Sequence, residues 1–310
     1  MTLAGFLLCA ISQLRLRSGA FEGFAQPRAP KIIVMQVLPP ALHITFLHAN
    51  GYPSGVYRQF FAALRNHAIV HAPEILETTP ASAAHQRWPM MLDQALDLLQ
   101  TLPPSPDETR RHVLVGHSMG GYIALQAAVR HMDTIRDVVL IDSPIPTGWR
   151  ANLLTFAQLT GLAYKSGPAP IAARRRDTWP SREAAREFFA GKAFVQSWAD
   201  GVLDDFIEHA MVDCDDGVTL KVPRDTERDI YVHIVHRSAL KALRRLQRGG
   251  VNVSFIAGER SEEARLAGFA ENERLFSPRF VRMATGHLVP MEAPQACADA
   301  VLQALRDYQS

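Results

Sequence analysis

One stretch, Val113-Leu114-Val115-Gly116-His117-Ser118-Met119-Gly120-Gly121-Tyr122-Ile123-Ala124-Leu125, constrains this chain more than any other. A β-branched run stops at a glycine, and an amphipathic helical pattern that begins with small residues follows almost at once. The spacing Gly116-His117-Ser118-Met119-Gly120 matches G-x-S-x-G. In that turn the serine is held under strain with its hydroxyl exposed, and the flanking glycines allow close backbone approach. Ser118 is therefore the candidate nucleophile, and a strand before it and a helix after it are the context the motif requires.

The same alternation runs through the first half of the chain. Ile32-Ile33-Val34-Met35-Gln36-Val37 and His43-Ile44-Thr45-Phe46-Leu47 read as strands separated by Pro39-Pro40. A helix is expected over residues 56–66, a strand over 67–72, and a helix over 86–101, where Trp88, Met91, Leu92, Ala95, Leu98 and Leu99 share one face. Pro103, Pro104 and Pro106 make 101–111 a loop. The Ser118 helix ends near Met132, and Asp137-Val138-Val139-Leu140-Ile141 is a further strand. Such alternation predicts a mostly parallel, doubly wound α/β sheet.

It then stops. Residues 144–250 read as an inserted helical cap with aromatics spread through it, among them Trp149, Phe156, Trp179, Phe189, Trp198 and Phe206. Strands resume at 251–257 and 279–283, and an amphipathic helix closes the chain at 294–308. The expected organisation is a core of 31–143 and 251–310, the cap at 144–250, and an N-terminal extension at 1–30 that is a disordered tail or a start placed too early, with Met35 as a second methionine. The apolar run 3–11 is too short to span a bilayer, and no positive charge precedes it.

With 47% apolar and 21% charged residues among 310, and a formal charge of +2, the composition is that of an ordinary globular protein without a footprint for nucleic acid or an anionic membrane. Small-molecule partners are expected. Cys9, Cys214 and Cys297 are widely spaced and odd in number, which argues against disulfides, reads as small buried hydrophobes and points to a reducing, cytoplasmic compartment. No nucleotide, dinucleotide or H-E-x-x-H motif occurs, so nucleotide, NAD and zinc-protease readings lose their usual support and no metal is expected. His233 and His236, read as sharing a helix face, lack a third ligand. Arg174-Arg175-Arg176 reads as a solvated helix end, with recognition of an acidic substrate tail as the sharper alternative.

A serine hydroxyl needs a base to take its proton and a third group to orient that base. Ala284-Thr285-Gly286-His287-Leu288-Val289-Pro290 lies between the last strand and the last helix, which brings His287 to the sheet edge that carries Ser118. His117, beside the serine at a tight turn, points away from it and serves packing or support. The loop His48-Ala49-Asn50-Gly51-Tyr52-Pro53 ends a strand where open α/β sheets put ligand-facing groups.

Gly116-His117-Ser118-Met119-Gly120-Gly121, the His48-to-Pro53 loop, and Gly286-His287 with Pro290 together resemble the α/β-hydrolase superfamily, in particular its capped members, over about residues 40–308. The resemblance implies a Ser/His/acid triad, no cofactor, and an oxyanion hole from two backbone amides, by position Met119 and a residue of the Asn50-Gly51-Tyr52 turn, Tyr52 first. The acid departs from the family pattern: in Gly258-Glu259-Arg260-Ser261-Glu262-Glu263 a serine stands where an aspartate is expected. Asp142, at a site some superfamily lipases use, or Glu262 or Glu263 would have to serve, or no acid works at all. The implied activity is cleavage of an ester, thioester or lactone with an apolar acyl group. A non-catalytic binder and an acyltransferase remain the rival readings.

Overall fold

The computed structural model of the chain describes residues 32–35, 42–76, 83–102 and 112–306, so the expectations for 1–30 and for Cys9 fall outside it. Strands β1 (Ile32–Met35) and β2 (His43–Leu47) come first, then α1 (Arg58–Leu64), β3 (Ile69–Pro73), α2 (Arg87–Gln100), β4 (His112–His117), α3 (Met119–Arg130) and β5 (Ile135–Ile141). The segment that follows holds α4 (Gly148–Leu159), α5 (Ala169–Arg174), β6 (Thr178–Trp179), α6 (Arg182–Ala190), α7 (Ala193–Gln196), α8 (Val202–His209), β7 (Met211–Cys214), β8 (Gly217–Leu220), α9 (Arg224–Val232) and α10 (His236–Arg248). The chain returns through β9 (Asn252–Gly258), α11 (Glu262–Ala267), α12 (Phe269–Phe276), β10 (Phe280–Met283), α13 (Val289–Glu292) and α14 (Pro294–Arg306).

The main sheet has the order β1-β3-β2-β4-β5-β9-β10, parallel throughout except that β1 runs antiparallel to β3. Alternating side chains feed two cores: Phe46, Val113 and Val115 face α1 and α14, whereas Leu47 and Leu114 face α2, α3 and α10. β2 is flanked by β3 on one side and β4 on the other, so the connections leaving β2 and β4 diverge and open a crevice at their carboxyl ends.

Three sequence expectations change here. The inserted segment is not wholly helical, because β6, β8 and β7 form a small antiparallel sheet through Thr178↔Thr219 and Met211↔Leu220. Its end lies earlier than residue 250: α10 packs on α3 with Ala239, Ala242, Leu243 and Leu246 buried in the core, which makes it the crossover helix into β9. His233 and His236 do not share a helix face, since His233 ends α9 and His236 begins α10.

The cap is continuous with the core. Trp179, Phe189, Trp198 and Phe206 are buried, and Tyr52 meets Trp198 and Phe206 at centroid distances of 6.3 and 5.9 Å. On the other side Arg87 pairs with Asp229 at 3.1 Å and Trp88 Nε1 donates to the Ile230 carbonyl at 3.2 Å. Trp149, Phe156 and Phe194, by contrast, are exposed. Cys297 is buried as expected but Cys214 is exposed, and both are free thiols. No helix among the described residues is long and apolar enough to cross a membrane.

Candidate active site

Ser118 stands between β4 and α3 with φ 52° and ψ −114°, a left-handed conformation that a residue with a side chain adopts only when its surroundings impose it. The imposition comes from close backbone packing. A Cβ at Gly120 would sit 1.9 Å from the Leu47 carbonyl oxygen, so only glycine lets the first turn of α3 meet the end of β2. Ser118 N–H donates to the Ile141 carbonyl at 2.9 Å, which ties the turn to the neighbouring strand.

Two further strand ends supply its partners. Asp142 follows β5 with φ 38°, also left-handed, and is fully buried. One of its carboxylate oxygens accepts the Gly258 N–H at 3.0 Å; the other accepts from Ser261 Oγ and faces His287 Nδ1 at 2.6 Å. His287 lies between β10 and α13, and its Nε2 is 3.0 Å from Ser118 Oγ. With Nδ1–H donating to a carboxylate, Nε2 is the ring acceptor and Ser118 Oγ–H the donor. Burial alone would lower the His287 pKa. The Asp142 hydrogen bond and charge, aided by Glu263 and Glu292, more than offset that, and the net shift is upward.

The alternatives for the acid separate by distance. Glu262 pairs with Arg265 on the surface of α11 and makes no contact with His287. Glu263 lies 3.7 Å from His287 Nδ1 with its side chain half exposed, a flanking charge and not a hydrogen-bond partner. Ser261, where the family pattern would put the acid, instead donates to Asp142 and also caps α11 by accepting from Ala264 N–H at 3.1 Å. Asp142, Glu263 and His287 converge closely enough to hold a metal ion. Asp142 and His287 Nδ1 meet there directly as hydrogen-bond partners at 2.6 Å.

The loop carrying His287 is held from three directions. Gly286 N–H lies 2.9 Å from both Glu292 carboxylate oxygens, and Arg260 pairs with Glu292 at 3.1 Å. A Cβ at Gly258 would lie 2.0 Å from the Gly286 carbonyl, so the end of β9 and the histidine loop run in backbone contact. His117 points away from the serine, as its place in the turn suggests. Its Nε2–H donates to the His287 carbonyl at 3.0 Å and its Nδ1 accepts from Tyr57 Oη at 2.8 Å, while Tyr57 Oη accepts the Ala49 N–H at 3.0 Å. Desolvation brings His117 down to about 3 and His48 to about 4, so both stay neutral. His48 donates from Nδ1 to the Ala49 carbonyl and accepts the Leu76 N–H at Nε2.

This chain of bonds decides which amides remain free. Tyr52 N–H donates to the Ala49 carbonyl at 3.1 Å, closing the turn, so Tyr52 does not offer its amide as the sequence reading expected. Ala49 N–H is taken by Tyr57. The Asn50 N–H, on a residue that lines the same cavity as Ser118, has no hydrogen-bond partner among the described residues, and the Met119 N–H begins α3.

A cavity of about 900 Å³ opens over Ser118 and His287, walled by Tyr52, Phe188, Phe189 and Leu288. Sequence reasoning missed an ion pair in that wall, a buried carboxylate with a partly exposed arginine. Glu227 sits 2.6 Å from Arg175, and burial raises its pKa against the pull of that guanidinium. Arg175 is thus part of the cavity lining and not a solvated helix end; nothing local in the sequence pairs residues so far apart.

Comparison with known proteins agrees with this architecture. The description "Alpha/beta hydrolase family" belongs to the family model that matches residues 46–300. The chain belongs to the alpha/beta hydrolase family. Membership supports hydrolase activity in general. Curated protein sequences gave no match. Among solved structures, an E-2-(acetamidomethylene)succinate hydrolase superposes with a TM-score of 0.65 at 18% identity, covering 88% of this chain and 94% of its own. A thioesterase domain from the curacin biosynthetic pathway gives 0.63 at 18%, covering 87% and 94%. An enol-lactonase from Burkholderia xenovorans LB400 gives 0.57 at 18%, covering 89% and 95%. At these identities the likeness concerns the fold.

Proposed function

We propose that this alpha/beta hydrolase is a serine hydrolase that cleaves an ester, thioester or lactone of a small molecule through an acyl-enzyme on Ser118. The observation that carries the reading is the line of three groups: Ser118 Oγ at 3.0 Å from His287 Nε2, and His287 Nδ1 at 2.6 Å from Asp142. His287 Nε2 takes the hydroxyl proton as Oγ attacks the substrate carbonyl carbon. The carbonyl oxygen becomes an oxyanion facing the N–H groups of Met119 and Asn50. The imidazolium, held by Asp142, then gives its proton to the departing alcohol or thiol, and the acyl group stays on Ser118. Water repeats the sequence, with His287 again taking the proton, and the acid leaves.

The upward pKa of His287 suits this cycle, because the imidazolium formed mid-reaction is stabilised beside a buried carboxylate. The solved thioesterase and enol-lactonase carry names in the same reaction class, which supports the substrate type. Two free thiols fit a reducing, cytoplasmic setting.

A fluorophosphonate probe tests the proposal. Covalent labelling of the wild type that is lost in Ser118→Ala, with both proteins folded by thermal melting, is the expected result. A folded wild type that resists the probe would leave a non-catalytic binder.

A further inference from the structure

The cavity over Ser118 is walled by aromatics, yet it is also rich in cations. Arg174, Arg175, Arg176, Lys192 and Arg260 all line it, together with the carboxylates of Glu227, Glu262, Glu263 and Glu292. Two of them are neutralised in place: Arg175 by Glu227 at 2.6 Å and Arg260 by Glu292 at 3.1 Å. Arg176 and Lys192 are different. Among the described residues neither has a carboxylate partner, and both lie over the same ring: the Arg176 guanidinium 5.8 Å and the Lys192 ammonium 4.1 Å from the centroid of Phe188. Arg176 is steadied further by Trp179 at 5.6 Å and by its Nε–H donating to the Thr178 carbonyl at 2.8 Å.

An aromatic face positions a cation without cancelling its charge or using up its N–H donors. Both terminal nitrogens of Arg176 and the ammonium of Lys192 therefore stay available. Two uncompensated like charges held at one ring repel each other, and an anion within reach of both offsets that repulsion. The remaining walls at this end, Phe188, Phe189 and Phe194, are apolar. Chemistry of that kind fits a short hydrocarbon chain ending in a carboxylate, better than the purely apolar acyl group expected from the aromatic cap.

We propose that Arg176 and Lys192 form an anion subsite, so that the substrate is an ester, thioester or lactone that also carries a carboxylate. The assignment of the cleaved bond rests on the serine-hydrolase reading above; the subsite itself does not. The carboxylate is bound by charge-assisted hydrogen bonds, and no group is transferred at this position.

Matched esters test it. On the acyl side, 4-nitrophenyl hydrogen glutarate is compared with 4-nitrophenyl valerate, which replaces the carboxylate by a methyl group. On the alcohol side, 4-carboxyphenyl valerate is compared with its methyl ester. In wild type the charged member of one pair should have the higher kcat/KM by on the order of tenfold or more, mainly through KM, and the advantage should shrink with added salt. In Arg176→Gln/Lys192→Gln that advantage should fall close to unity while the neutral esters are cleaved as before. No preference in either pair, or a preference that survives the double substitution, overturns the subsite.

Binding separates this from failure of the catalytic reading. If no ester is turned over and the fluorophosphonate does not label Ser118, calorimetry with valerate and its uncharged analogue valeramide still decides. Valerate binding that exceeds valeramide binding and is lost in the double variant sustains the subsite; equal binding refutes it.

Discussion

Replacing Asp142 by asparagine tests the site most sharply, because the side chain keeps its shape and loses one acceptor. Asp142 accepts at both oxygens: from Gly258 N–H at 3.0 Å on one side, and from His287 Nδ1–H at 2.6 Å and Ser261 on the other. An amide cannot do both. Facing its oxygen to Gly258 puts an NH₂ against His287 Nδ1, which must then accept, and the ring proton moves to Nε2, where the Ser118 proton has to go. Facing the oxygen to His287 instead sets NH₂ against the Gly258 N–H. A wrong-tautomer histidine in a Ser/His/Asp triad costs about 10⁴-fold in kcat, or about 5 kcal/mol of transition-state stabilisation. The assay is kcat/KM for a 4-nitrophenyl ester from about pH 5 to pH 9, beside a thermal melt.

The pH profile adds a sign. His287 must be neutral to act as base, and its pKa is raised, so wild-type activity should be lost as pH falls through a value above about 6.5, the ordinary imidazole value. Asp142 is one cause of the upward shift, so in Asp142→Asn whatever activity remains should extend to lower pH. Glu263→Gln is the control: that half-exposed carboxylate at 3.7 Å contributes at most about 1 kcal/mol, or up to about fivefold. Asp142→Asn within tenfold of wild type, or Glu263→Gln falling as far as Asp142→Asn, would refute the assignment of the acid.

Further outcomes follow from the same contacts. Ser261→Ala removes a donor to a buried carboxylate together with the cap of α11, and a loss of about 2–4 kcal/mol should appear as a lower denaturant midpoint at unchanged slope. Gly120→Ala drives a Cβ into the Leu47 carbonyl and should leave little folded protein by circular dichroism; a well-folded variant would show that α3 can shift. His48 and His117 are buried neutral with depressed pKa values, so the unfolded chain binds more protons; stability present above about pH 6.5 should decline as pH falls towards about 4, and melts that do not change over this window would contradict their neutral, buried state. Tyr57→Phe leaves His117 Nδ1 and the Ala49 N–H without their shared partner, and should lower stability by about 1–3 kcal/mol at pH 7.

Local chemistry was enough for much of this protein. The step from a β-branched run to Gly116, Ser118 and Gly120 is a strand meeting a helix whatever lies around it, and the alternation on either side demands a mostly parallel sheet. His287 was legible because a loop after the last strand must emerge at the same sheet edge as the Ser118 turn. The choices that depended on distant backbone were not legible. Asp142 and His287 are 145 residues apart, and the sequence puts Asp142 first but leaves Glu262 and Glu263 open until the β5–β9 register puts Asp142 under Gly258 and Ser261. The Tyr52 amide is consumed by a turn hydrogen bond to Ala49, and α10 joined the core because its apolar face found α3. Arg175 and Glu227, and the two cations over Phe188, meet only when the inserted segment folds on itself. Periodicity and turn chemistry act over a few residues and can be read in order; hydrogen-bond partners and free donors are assigned by packing between segments, which no local pattern encodes.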